Sequence, residues 1–209
     1  MNPIKRTLKR LFFKSSAYWE NRYKTGGNSG AGSYNQIAQD KGNFINGFIQ
    51  EHNIKRLLDY GCGDGNQLGY IKVENYLGVD ISKTAVALCR EKHKHRPNTA
   101  FLVYDPQTFQ SEAARFGPEL TLSMDVIFHL VEDEVFANYI RELFGSSRRY
   151  VVIYSTNFDR KYESPHQVDR AFTNYISDAI PDWELVKIID NPHKNKDTFC
   201  DYFVYARKG

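Results

Sequence analysis

Residues 57–67 read LLDYGCGDGNQ. Leu57, Leu58 and Tyr60 form a short apolar run of the kind a buried strand requires. The run leads straight into glycines at alternate positions, Gly61, Gly63 and Gly65. Glycine permits a tight turn and lets a ligand approach the backbone closely, at the positive end of the helix that follows. A strand, a glycine turn and a helix in this order are the opening unit of an open α/β sheet. Ligands of such sheets sit at the carboxyl ends of the strands, where this turn is placed.

The flanking sequence continues the alternation. Strands are expected at 56–60 (RLLDY), 76–80 (YLGVD), 100–104 (AFLVY), 119–124 (ELTLSM) and 150–154 (YVVIY). Helices are expected at 66–72, from Ser82 as N-cap to about Arg96 before Pro97, at 133–144 before Gly145, and at 172–180 before Pro181. Upstream, 17–24 reads as a short helix. Residues 36–52 carry Ile37, Phe44, Ile45, Phe48 and Ile49 at helical period. Two last strands, 183–189 and 199–206, are separated only by the polar NPHKNKDT, too short for a crossover helix, so they should pair antiparallel. The expected fold is a doubly wound, seven-stranded, mostly parallel sheet with an antiparallel last strand. The expected division is an N-terminal segment over 1–53 and a ligand-binding domain over 54–209.

Two acids punctuate the strand ends. Asp59 precedes the first glycine by two residues, and Asp80 follows it by 21 positions from Asp59, a spacing that suits a carboxylate on two ribose hydroxyls. A dinucleotide fingerprint would need a third glycine at position 66, which is Asn. A carboxylate at 59 would repel a pyrophosphate but suits an ammonium group. S-adenosylmethionine offers an ammonium, a ribose and an adenine, and no phosphate.

These residues resemble the class I S-adenosylmethionine-dependent methyltransferases. DYGCGDG is similar to the first motif of that family, YLGVDIS to its second and FLVYD to its third, and the reversed seventh strand is the family's usual distinction from dinucleotide-binding folds. The resemblance implies residue roles. Asp59 would contact the methionine amino group, and Gly61, Cys62, Gly63 and Gly65 would line methionine and ribose. Asp80 would take the ribose hydroxyls, Ile81 would pack on adenine and Asp105 would accept from the adenine amine. Ser123, Met124 and Asp125 would lie where sulfonium and acceptor meet. More narrowly, YWENRYKTGGNSGAGSY (18–34) and SMDVIFHLVEDEVF (123–136) resemble a bacterial subgroup associated with modifying cell-surface glycans or small metabolites. The cofactor so implied is S-adenosylmethionine, with S-adenosylhomocysteine as product.

On the acceptor side, Asp125 and His129 are i, i+4 and would share a helical face, the carboxylate orienting the imidazole and raising its basicity. With an ordinary pKa near ~6.5, His129 is the expected base for a hydroxyl. Asn157 adds a polar group after the fifth strand. His166 and Arg170, again i, i+4, are placed to meet an anionic acceptor. The loop 26–34, GGNSGAGSY, is expected to order over bound cofactor as a lid, with Trp19, Tyr23 and Tyr34 covering the site. Hard-cation sites collect more carboxylates than the sequence offers here, so no metal is assigned.

Composition bounds the rest. The 209 residues are 41% hydrophobic and 25% charged, ordinary globular usage. Three scattered cysteines, Cys62, Cys89 and Cys200, argue against a disulfide framework and a zinc site. Lys5, Arg6, Lys9, Arg10 and Lys14 stand together in the first fourteen residues; without them 23 cations face 25 acids, a balance of −2. A nucleic-acid acceptor is therefore not expected. The tail, with Ile4, Leu8, Leu11 and Phe12 at helical spacing, reads as a solvated or docked arm, the alternative being contact of residues 1–14 with an anionic membrane surface. The expected location is cytoplasmic, with a small-molecule acceptor as partner. Oxygen is the expected methylated atom of a sugar, sugar phosphate or phosphorylated metabolite. The alternatives are a protein, lipid or RNA acceptor, or a non-catalytic cofactor-binding subunit.

Overall fold

The computed structural model describes residues 13–161, 165–192, 194 and 198–209. The basic tail lies almost wholly outside these, as does part of the polar loop between the last two long strands. The elements in order are α1 (Ser15–Lys24), α2 (Asn35–His52), β1 (Arg56–Tyr60), β2 (Asn75–Asp80), α3 (Lys83–Lys92), β3 (Thr99–Val103), α4 (Phe109–Phe116), β4 (Leu120–Met124), α5 (Asp133–Ser146), β5 (Tyr150–Ser155), β6 (Arg160–Lys161), β7 (Val168–Asp169), α6 (Phe172–Ala179), β8 (Trp183–Ile189) and β9 (Asp201–Arg207).

Seven strands form one sheet in the order β3-β2-β1-β4-β5-β9-β8. β9 alone runs against the others, pairing antiparallel with both β5 and β8. Period-two alternation divides the core between the two faces. Leu57, Tyr76, Val152 and Val204 meet Ile45 and Phe48 of α2 and Val86 of α3 on one side. Leu58, Leu77, Ile153 and Phe203 meet α4, α5 and α6 on the other. The sheet is thus wound on both faces, as the alternation of strands and helices predicts. β6 and β7 form a separate two-stranded pair.

Three local expectations are corrected. The helix expected at 66–72 is a single 3-10 turn, Gln67–Tyr70, because the chain must return at once to β2. α5 runs through Gly145 to Ser146. An unforeseen helix, α4, follows β3; it buries Phe109 and Ala113 and ends on Gly117 in the left-handed conformation. Ser82 caps α3 as expected, its hydroxyl accepting from Ala85 N at 3.0 Å.

α1 lies across the carboxyl edge of the sheet. At its start, Ser15 N donates to Glu132 Oε1 at 3.0 Å. Further along, Glu20 accepts from Ser82 Oγ at 2.7 Å and Thr84 Oγ1 at 2.8 Å, at the N-terminus of α3. Among the described residues no helix is long and apolar enough to cross a membrane.

Candidate active site

The strand order reverses between β1 and β4, and the crevice of an open α/β sheet forms at such a switch. Two chambers open there. The first, about 370 Å³, is lined by Asp59, Gly61, Cys62, Gly63, Asp80, Ile81 and Met124, and closed by Trp19, Tyr23 and Ser29. The second, about 300 Å³, is lined by Tyr18, Arg22, Phe128, His166, Thr198 and Cys200 among others. Trp19, Ser29, Asp125 and His129 belong to both, so they form the shared wall.

The first chamber is built by backbone geometry. Gly61 and Gly63 adopt φ of 97° and 57°, which side chains disfavour, and a Cβ on them would collide with Val126 and Ser29 respectively. Asp80 Oδ2 accepts from Gly63 N and Oδ1 from Ser82 N, both at 2.9 Å, so this carboxylate fixes the turn as well as facing the cavity. Asp59 Oδ2 accepts from the Tyr76 hydroxyl at 2.8 Å. Among the described residues Asp59 Oδ1 is buried without a hydrogen-bond partner. A buried carboxylate oxygen left open toward a cavity fits a donor that arrives with a ligand, and an ammonium group is such a donor. At the carboxyl ends of β2 and β3, Ile81, Tyr104 and Pro106 supply the apolar surface an adenine needs.

Burial pushes the carboxyls of both Asp59 and Asp80 up to about 6, against the hydrogen bonds that favour their charged forms. In the folded chain they therefore take up protons between the usual carboxylate range and about pH 6, and their stabilising effect on the protonated fold is lost as pH rises through that window. Binding of an ammonium ligand requires the ionised form. The affinity for S-adenosylhomocysteine should thus rise between pH 5 and 7.5 by about tenfold and then level off, as measured by calorimetry. A flat profile would mean that these carboxylates do not meet the ligand.

The glycine-rich segment 26–34 lies closed on the glycine turn. Ser29 N donates to Asp64 Oδ2 at 3.0 Å, Asp64 N donates to Ser29 Oγ at 2.9 Å, and the Tyr34 hydroxyl donates to Asp64 Oδ2 at 2.6 Å. These contacts hold the Asp64 carboxyl below its usual range despite partial burial. Trp19 and Tyr23 cover the cavity; Tyr34 instead tethers the segment and lines neither chamber.

Several other expected site residues are placed elsewhere, each for a physical reason. Gly65 faces Cys89 and His93, and its carbonyl accepts from His93 Nε2 at 2.8 Å. Asp105 is exposed, its Oδ1 accepting from Gln107 N at 2.9 Å in the turn that starts α4. Ser123 lies beneath the floor, its hydroxyl 2.8 Å from that of Tyr139. Asn157 Oδ1 accepts from Thr173 N at 3.2 Å and so caps α6. Arg170 donates to Leu130 O at 2.6 Å, Val131 O at 3.1 Å and Asp133 Oδ1 at 2.7 Å, which clamps the loop after β4. His166 does line the second chamber, its ring stacked on Tyr18 at 4.6 Å.

Asp125 and His129 share the wall but are not the coupled pair that helical spacing suggests. Asp125 sits at φ 60° directly after β4, and only Ile127–His129 forms a 3-10 turn. The partner of Asp125 is Lys41 of α2, whose Nζ lies 2.7 Å from Oδ2 and is 1% exposed. His129 Nδ1 lies 3.0 Å from His166 O. A carbonyl only accepts, so Nδ1 carries the proton and Nε2 is the lone-pair nitrogen. Burial pushes the His129 pKa down to about 4, outweighing the nearby Asp125 charge, so the ring is a neutral acceptor and not an enhanced base.

Sequence reasoning missed Lys41, because a lysine on a half-polar helix reads as solvent-facing. It also missed Tyr60, Tyr104, Asn138 and Glu142, which line the first chamber; Glu142 accepts from the hydroxyls of Tyr60 at 2.7 Å and Tyr104 at 3.0 Å. The available signal was polar Asn138 and Glu142, four residues apart on α5 and on either side of buried Tyr139.

Residues 57–148 match the family model described as a methyltransferase domain. No curated protein matches the chain significantly. Among solved structures the chain is similar to magnesium protoporphyrin IX methyltransferase (ChlM) from Synechocystis PCC 6803 with bound SAH, at 14% identity over 97% of this chain and 99% of that one, with a TM-score of 0.62. It is similar to the N-methyltransferase NodS from Bradyrhizobium japonicum at 11% identity over 82% and 94%, with a TM-score of 0.65. An S-adenosylmethionine-dependent methyltransferase from Clostridium acetobutylicum matches at 12% over 93% and 98%, with a TM-score of 0.63. At these identities the likeness is one of fold.

Proposed function

We propose that this chain, a class I S-adenosylmethionine-dependent methyltransferase by its domain match and fold, methylates a hydroxyl oxygen on a small polar acceptor held in the second chamber. The acceptor class is a sugar or phosphorylated metabolite of bacterial surface-polysaccharide synthesis. The observation that carries the reading is the shared wall: the chamber lined by Asp59 and Asp80 and a second, polar chamber meet at Asp125 and His129. The likeness of 18–34 and 123–136 to a glycan-modifying subgroup supports the acceptor class. ChlM and NodS are similar to this chain in fold, so the acceptor class rests on this chain's own residues.

When bound, S-adenosylmethionine supplies a methyl group on a positively charged sulfonium and leaves as a neutral thioether. Asp59 Oδ1 would hold the amino group and Asp80 the ribose, while Trp19 with Tyr23 would exclude water and offer aromatic faces to the positive charge. His129 Nε2 accepts the hydrogen bond of the acceptor hydroxyl and so turns an oxygen lone pair toward the first chamber. Nε2 would receive the proton that the acceptor hydroxyl gives up, as a nitrogen that burial holds to weak basicity.

A screen of sugar nucleotides, sugar phosphates and phosphorylated metabolites, read by S-adenosylhomocysteine formation, tests the acceptor class. On the acceptor so found, His129→Ala should lower turnover about 100-fold while cofactor affinity stays within a few-fold. Full turnover of that variant at saturating acceptor would remove His129 from the reaction.

A further inference from the structure

Among its described residues the second chamber has an unbalanced charge. Arg22, on α1, donates through Nε to Asn28 O at 2.6 Å and through Nη2 to Asn28 Oδ1 at 3.4 Å, and its guanidinium stands 5.6 Å from the centre of the Trp19 ring. All three partners are neutral, neither bond uses Nη1, and among the described residues no carboxylate pairs with it. The acid of the same chamber, Asp125, is already matched by Lys41. The other charge-bearing side chains of the lining are the imidazoles of His129 and His166. The Arg22 charge reaches both of them, adding to burial in favouring their neutral forms.

Arg22 is also the root of the glycine-rich segment. Its carbonyl accepts from Gly27 N at 2.8 Å, and Asn28, held by its guanidinium, precedes the Ser29 that is bonded to the glycine turn. The residue that brings to the second chamber a charge unpaired among the described residues therefore also fixes the cover of the first. A guanidinium fork with a free edge matches the oxygens of a tetrahedral anion. Arg170, the cation expected from sequence to serve here, is engaged by the loop after β4.

We propose that Arg22 is the specificity residue of the acceptor chamber and that the acceptor carries a phosphate group seated against its guanidinium. This rests on the reading of the second chamber as the acceptor site. The phosphate takes the N–H groups of Nη1 and the second N–H of Nη2 and leaves the Nε bond to Asn28 O in place, so the acceptor binds to a chamber whose cover is already closed. The added negative charge draws both imidazoles toward protonation. Among the described residues of this lining, Tyr18, Trp19 and Arg22 come from α1, Asp125 and Phe128 from after β4, and Thr198 and Cys200 from before β9, and only Asp125 is acidic; on its first-chamber side His129 shares the lining with Asp59, Asp80, Glu132 and Glu142.

The test uses inorganic sulfate, a dianion throughout the working range, on the full chain loaded with S-adenosylhomocysteine, at constant ionic strength with chloride as reference. Sulfate is expected to saturate, to shift the imidazole resonances of His129 and His166 and to raise their titration midpoints. Arg22→Gln should weaken sulfate binding about tenfold or more, and Arg22→Lys should retain part of it. Asn28→Ala, which keeps the guanidinium, should stay within about threefold of the parent. The proposal is overturned if sulfate moves these resonances no more than chloride does, if Arg22→Gln binds sulfate normally, or if Asn28→Ala loses as much as Arg22→Gln. A chain that fails to bind S-adenosylhomocysteine in the same samples fails the cofactor reading instead.

Discussion

Replacing Asp80 by alanine should reduce S-adenosylhomocysteine affinity about 100-fold, and should also destabilise the unbound fold. Both effects follow from one carboxylate. Its two oxygens accept from Gly63 N and Ser82 N, and removing them leaves two buried N–H groups without partners, each worth about 1–3 kcal/mol. Gly63 stands at positive φ beneath Ser29, so freeing its N–H loosens the turn against the cover. The lost hydrogen bonds to ribose hydroxyls add about 1.5–3 kcal/mol to the binding deficit, since they are bonds to a charged group. Asp80→Asn separates the two effects. It preserves shape and one acceptor oxygen, so it should keep more stability than affinity. Calorimetry and urea unfolding of the two variants read these quantities separately. Unchanged affinity in Asp80→Ala would place the ribose elsewhere.

The largest stability effect is expected at the shared wall. Asp125→Ala leaves the Lys41 ammonium buried without its ion-pair partner, and breaking such a pair from one side destabilises by about 3–5 kcal/mol. The nearby Tyr154 ring, 5.1 Å from Nζ, replaces little of that interaction. Lys41→Met alone should be destabilising too, because it strands the carboxylate. The double variant Lys41→Met with Asp125→Ala should recover most of the loss, since neither charge then needs desolvation. Urea unfolding of the four proteins closes the cycle. Additive losses in the double variant would show that the two groups do not stabilise each other. Turnover should remain low in the double variant, because the wall between the chambers has lost its anion. Stability and activity would then part company, which a merely structural pair would not produce.

The parts of this protein legible in its residues are those fixed within a few positions along the chain. The apolar run 57–60 entering three glycines, the cap at Ser82 and the stops at Pro97 and Pro181 are local signals. The reversed last strand also followed from chain length alone, since a short loop cannot carry a crossover helix. Asp59, Gly61, Cys62, Gly63, Asp80, Ile81 and Met124 reach the first chamber because each stands at or next to a strand's carboxyl end, and the sheet brings those ends together.

Spacing failed where a side chain's direction depended on something distant. Asp125 and His129 are four residues apart, yet Asp125 turns to a lysine 84 positions away in sequence and His129 to a carbonyl 37 positions away. Arg170 and Asn157 have the right chemistry for a ligand but complete a loop and a helix terminus, where partly buried carbonyls and N–H groups would otherwise lack partners. Asp105 stands at the end of β3 like its counterparts, but α4 begins at once and takes its side chain into a turn. The wall between the chambers is the clearest case. It joins residues from α1, the glycine-rich segment and the loop after β4. Their proximity comes from α1 being held by Glu132 at one end and by Ser82 and Thr84 at the other. No periodicity encodes such contacts, because hydrogen bonds between elements carry no sequence spacing. The strands and the glycine turn are therefore dictated locally, whereas the meeting of two chambers at His129 and Asp125 is a property of the packed chain.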